Sequence, residues 1–153
     1  MKGVVVYDTY YGNTKSVAEA IVEQLKVEGH EAELRSVKEK YPEPPHGDIM
    51  FLGSPIRMGS VTRKVKKYVN KLDKEGWKDK PIVVFTTILL QPEDATDKQK
   101  ESREKYDIAA GRRLRDFARS EGLNPVENHL WVDVKGMKGP LVDTAVETTK
   151  QFT

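Results

Sequence analysis

Apolar positions alternate along the chain between continuous short runs and stripes of helical period. Val4, Val5, Val6 and Tyr7 form one unbroken run, ended by Asp8. Rich in β-branched residues and apolar at both odd and even positions, it predicts a strand buried on both faces. Val17, Ile21 and Leu25 then recur every four residues, with Ala18 and Val22 beside them. That is one face of an amphipathic helix, closing near Gly29. Ala32, Leu34 and Ser36 alternate with charged neighbours, as in a half-exposed strand. Residues 49–52 are a second buried run, leading into Gly53, Ser54 and Pro55, and Val61, Val65, Tyr68, Val69 and Leu72 make the next helical stripe. Pro81 opens a strand over residues 82–85. Tyr106, Ala110, Leu114, Phe117 and Ala118 line one face of a long helix that Gly122 ends. Leu130, Val132 and Val134 read as the last strand, and Pro140 as the first turn of a final helix with Leu141, Ala145 and Val146 on its face.

Residues 41–47, YPEPPHG, carry too much proline for regular structure. The order is therefore βαββαβαβα, or five βα units with that segment in place of the second helix. Such alternation predicts an α/β fold: a doubly wound, five-stranded parallel sheet of order 2-1-3-4-5 with helices on both faces. The second strand is the most polar and belongs at an edge. Without repeats, low-complexity linkers or breaks in composition, residues 1–153 read as a single domain. Ligands of such sheets sit outside the carboxyl ends of the strands, here in the crevice between strands one and three. Segments 8–14, 53–60, 86–96 and 135–140 reach that edge.

Composition narrows the chemistry. The sequence has no cysteine, which leaves no thiolate nucleophile, CxxC pair or cysteine-ligated metal, so a redox role has to rest on a bound cofactor. His30, His46 and His129 lie far apart without metal-ligand spacing. With 26 basic and 24 acidic residues the charge is too balanced to point to nucleic acid. No apolar run approaches a membrane span, and the opening MKGVVVYD is too short for a signal peptide, so the expected location is cytoplasmic.

In segment 8–14, DTYYGNT, Thr9 and Thr14 offer hydroxyls, Asn13 an amide, and Gly12 a tight turn. The amides of residues 10–14 can converge on one phosphate at the positive end of the following helix. The segment has neither the ending of a nucleoside triphosphate loop nor GxGxxG, and a plain strand–helix turn capped by Thr14 is the other reading. The T-x-x-G-N-T pattern after the first strand of a 2-1-3-4-5 sheet resembles the phosphate loop of the flavodoxins, and the likeness extends to the order and length of the elements. It implies the short-chain type, with nothing interrupting the fifth strand. It also implies that Thr9, Tyr10, Tyr11, Gly12, Asn13 and Thr14 hold the phosphate of flavin mononucleotide (FMN).

Segment 53–60, GSPIRMGS, resembles the flavin-contacting loop of the same family. Its G-S-P-x-R-x-G pattern is also similar to FMN-dependent quinone reductases, and I-R-x-G to flavodoxin-type protoporphyrinogen oxidases. The resemblance implies a flavin contact from Ser54, Pro55, Ile56, Arg57, Met58 and Gly59. Pro55 and Gly59 shape the turn, Ile56 and Met58 lie against the ring, and Arg57 is either a solvated rim charge or a partner of reduced flavin. Beyond the next strand, Thr87, Ile88 and Leu89 either cover the second flavin face or, with Leu90, prolong the strand. Flavodoxins commonly place a tyrosine there and a tryptophan in the preceding loop, and both are missing here. Residues 91–105 mix five acids with four bases and read as a solvated loop or exposed helix start. In 135–140, Lys135, Lys138 and two glycines are either a pocket mouth or an ordinary turn.

Arg57, Arg63, Lys64, Lys66, Lys67 and Lys71 cluster on the second loop and the helix after it. A charged outer helix face is the default account, but the cluster borders the expected flavin edge, where complementary charge speeds encounter with a redox partner. The expected function is FMN-dependent electron transfer between redox partner proteins, the partner presenting an acidic docking surface. The protein is expected to be a monomer without nucleic acid or membrane span. The alternative is an FMN-dependent oxidoreductase acting on a quinone or porphyrinogen. A receiver-like domain is disfavoured because the third strand ends in Leu52, Gly53 and Ser54, without an acceptor aspartate. Asp8 has no histidine or second carboxylate near it by spacing, so no catalytic acid, base or nucleophile is assigned.

Overall fold

The computed structural model describes residues 1–10, 12–56, 59–89 and 94–134. Strand β1 (Lys2–Tyr7) leads into helix α1 (Asn13–Val27), and β2 (Glu31–Ser36) returns beside β1. Residues 37–48, which include the proline-rich segment, contain no helix, so β2 passes directly to β3 (Ile49–Pro55). There follow α2 (Arg63–Lys71), the short α3 (Lys74–Trp77) and the long β4 (Pro81–Leu89). Helix α4 (Asp97–Ser102), a π-helical turn (Arg103–Ile108) and α5 (Ala109–Ser120) run on continuously, before β5 (Asn124–Pro125) and β6 (Leu130–Val134).

All strand pairs are parallel, in the order β2-β1-β3-β4-β5, with β6 also pairing with β4. Since β3 takes the other edge of β4, β5 and β6 together fill the fifth position, and the order is 2-1-3-4-5 as expected. The fifth strand is nonetheless split. Val83 and Val84 of β4 lie opposite the four residues 126–129, so two extra residues bulge out between β5 and β6.

The two faces of the sheet bury two clusters, which explains the unbroken apolar runs. Val5, Tyr7, Phe51, Val83, Phe85, Leu130 and Val132 pack against Val17, Ala18, Ile21 and Leu25 of α1. Val4, Val6, Met50, Leu52, Ile82 and Val84 pack against α2, Trp77 of α3, and Ala110, Leu114 and Ala118 of α5. The polar β2 lies at the edge.

One expected position is corrected. Tyr106 is half exposed and does not share the buried face of Ala110 and Leu114. The spacing of four assumed an α-helix, whereas the π turn inserts a residue and rotates Tyr106 out of phase. The final helix from Pro140 lies outside the described residues.

Candidate functional site

The ends of β1, β3 and β4 converge because the strands are parallel and in register: Tyr7 lies beside Gly53, Gly53 beside Phe85, and Pro55 beside Thr87. Segment 8–14 departs from this edge first. The Asp8 amide donates to the Gly53 carbonyl at 3.1 Å, the Thr9 amide to Asp8 Oδ1 at 2.9 Å, and the Gly12 amide to Thr9 Oγ1 at 2.9 Å. Gly12 is left-handed at φ 96° and precedes the first turn of α1, and no side chain caps that helix. Among the described residues the positive end of this helix thus carries no side-chain cap, and its first turn contains no acidic residue. A helix start of this kind favours an anion over a cation.

Thr14 is buried and does not act as the cap. Its Oγ1 instead lies 3.0 Å from Thr87 Oγ1, tying α1 to the end of β4. Tyr10 is half exposed, and Thr9, Gly12 and Asn13 are partly buried. Tyr11 lies outside the described residues.

Segment 53–60 is held from below. Ser54, fully buried, accepts from the Thr62 amide at 3.0 Å and donates to the Pro55 carbonyl at 2.8 Å. Thr62 in turn caps α2 by accepting from the Val65 amide, so this helix start, unlike that of α1, is closed. The Ile56 amide donates to the Thr87 carbonyl at 2.9 Å, which extends the β3–β4 ladder. Pro55 and Ile56 are half-buried at the edge of the crevice, and Arg57 and Met58 lie outside the described residues. Gly59 adopts φ 73°, where glycine alone is unstrained, and a Cβ there would stand 3.0 Å from Tyr106 Cβ.

Arg113 fastens this loop to the π turn. Its guanidinium donates to the Gly59 carbonyl at 2.7 Å and to the Lys105 and Tyr106 carbonyls at 3.1 and 2.6 Å. A π turn disrupts the regular helical ladder, and here a side chain from the next turns satisfies its carbonyls. Sequence spacing alone did not single out Arg113 among the charges of α5.

At the end of β4 the backbone takes the strand-prolonging form, pairing Thr87, Ile88 and Leu89 with Val132, Asp133 and Val134. Ile88 is fully buried. Leu90 and segment 135–140, with Lys135 and Lys138, lie outside the described residues. Thr96 closes α4 with a capping box to Gln99, so most of the described part of 94–105 is an exposed helix start.

Arg63, Lys64, Lys66, Lys67 and Lys71 are all exposed on α2 and form no ion pair with the described residues. Among the described residues no group of three or more His, Cys, Asp or Glu could hold a metal, and no helix is long and apolar enough to cross a membrane.

The family described as Flavodoxin domain matches residues 4–125. A flavodoxin of Aquifex aeolicus is 37% identical over 78 residues, which are 50% of this chain and 42% of that protein. The matched stretch thus spans less than half the length of the curated relative. A flavodoxin from the domain Archaea superposes with a TM-score of 0.70 at 16% identity, covering 99% of this chain and 92% of its own. Flavodoxin 1 of Bacillus cereus superposes at 0.64 and 20% identity, covering 99% and 94%. At those identities the superpositions speak to the fold.

Proposed function

This chain belongs to the flavodoxin family, whose members bind FMN, and from that premise we propose that it carries electrons one at a time between redox partner proteins. The observation that carries the reading is the uncapped start of α1 at the mouth of the β1–β3 crevice. Thr9, Tyr10, Tyr11, Gly12, Asn13 and Thr14 would hold the FMN phosphate there. Ser54, Pro55, Ile56, Arg57, Met58 and Gly59 would border the ring, with Thr87, Ile88 and Leu89 at the strand end beyond it. Bound FMN supplies the electron-accepting and electron-donating chemistry. The protein's task is to seat the cofactor, order the loop around it and leave an edge open to a partner.

The five exposed cations of α2 follow directly on that loop. Their sign selects a partner with an acidic docking face, whose encounter they accelerate and whose approach salt would slow. A single-domain monomer acting in the cytoplasm completes the proposal. A second reading, an FMN-dependent oxidoreductase for a quinone or porphyrinogen, is favoured by the G-S-P-x-R-x-G pattern of residues 53–59.

Stopped-flow transfer from the reduced holoprotein to an acidic one-electron acceptor tests the docking surface. The Lys64→Glu/Lys67→Glu variant is expected to slow the rate at low salt and to lose most of its salt dependence. An unchanged rate counts against this docking face, and efficient turnover of an added quinone favours the enzyme.

A further inference from the structure

Asp8 is fully buried at the base of the phosphate loop. Its Oδ1 accepts from the Thr9 amide, and its Oδ2 has no hydrogen-bond partner among the described residues. A buried carboxylate without a counter-charge is costly, and one beneath an anion receptor also repels the anion. The counter-charge comes from Lys38, two residues beyond the end of β2. Its Nζ stands 3.4 Å from Asp8 Oδ1, donates to the Thr9 carbonyl, and lies 4.9 Å from the centre of the Tyr10 ring. One ammonium thus touches three consecutive residues of the loop. The β1–β2 register, which sets Tyr7 beside Ser36, brings this strand end within reach.

We infer that Lys38 is a positioning residue of the cofactor site: it neutralises Asp8 and pins Thr9 and Tyr10, so that the loop is preset for a phosphate monoester and discriminates FMN from riboflavin. The inference rests on the FMN reading above. Thr9 links the clamp to the anion receptor, because its hydroxyl accepts from the Gly12 amide just before α1. Releasing the Thr9 backbone therefore disturbs the turn that aims the helix start. The Asp8 charge would at the same time stand unopposed near the phosphate.

The test compares FMN and riboflavin affinities, by quenching of flavin fluorescence, for wild type, Lys38→Met, Lys38→Arg and Lys38→Met/Asp8→Asn. Lys38→Met should weaken FMN by about tenfold, the effect of one lost charge-assisted contact, and riboflavin by much less. Lys38→Arg should restore most of the loss, whereas the double variant, which removes the carboxylate charge that Lys38 balances but not the lost contacts to Thr9 and Tyr10, should restore only part of it. Equal losses for both flavins, or no loss of FMN, overturn the inference while leaving the cofactor reading intact. A wild-type protein that takes up neither flavin overturns both.

Discussion

Thr14 and Thr87, 73 residues apart, share a hydrogen bond of 3.0 Å between their hydroxyls, and both side chains are buried. Through this contact the start of α1 and the end of β4 hold each other, and with them two of the walls of the proposed cofactor crevice. Thr87→Val keeps the shape of the side chain but strands the Thr14 hydroxyl. Chemical denaturation should show a loss of about 1–2 kcal/mol, the usual cost of one unsatisfied buried polar group. Isothermal titration should show weaker FMN binding beside it.

Gly59 and Arg113 make a second such joint. Gly59→Ala forces a side chain into left-handed backbone and against Tyr106, which predicts a stability loss of about 1–2 kcal/mol. Arg113→Met removes the three carbonyl contacts of the guanidinium without adding strain. It should speed hydrogen exchange at residues 103–108 and loosen FMN, with the secondary structure intact by circular dichroism.

His129 packs its ring against Gly111, where an added Cβ would lie 2.4 Å from its Cδ2. Burial holds its pKa below the ordinary 6.5, helped by the charges of Arg112 and Arg115 and opposed by a hydrogen bond to the Ile108 backbone. The unfolded chain therefore binds the proton more readily than the folded one. Stability should be flat above the unfolded value and fall as pH drops through 6.5 towards the lower folded value. Melting curves between pH 7.5 and about 5.5 should show that slope, and His129→Gln should flatten it.

Much of this architecture was legible because burial on both faces writes itself into a strand directly. Val4, Val5 and Val6 have no solvent exposure, and their unbroken run said as much. Val17, Ile21 and Leu25 likewise marked the buried face of α1, and the polarity of residues 31–36 marked an edge strand. Tyr106 was misplaced because periodicity assumes one helical pitch, and a π turn changes the phase without altering composition. The unbroken fifth strand was likewise an assumption. Nothing in residues 126–129 announces that two of them bulge out of register with β4.

The phosphate loop was visible as a pattern, but its supports were not. Asp8 and Lys38 are 30 residues apart, and Gly59 and Arg113 are 54 apart. Their meeting depends on strand register and on the seating of a helix, neither of which leaves a local signal. Lys38 had one clue: parallel pairing of β1 with β2 puts the residues just past both strand ends side by side.

An anaerobic titration of the purified protein after addition of FMN, followed by its visible spectrum during stepwise reduction, tests the crevice and the carrier role together. Tight uptake of FMN and reduction in two separate one-electron steps are expected, as a carrier between one-electron partners requires. Failure to bind FMN would contradict the reading of the crevice itself. Direct two-electron reduction coupled to turnover of an added quinone would contradict the carrier and leave an FMN-dependent oxidoreductase in its place.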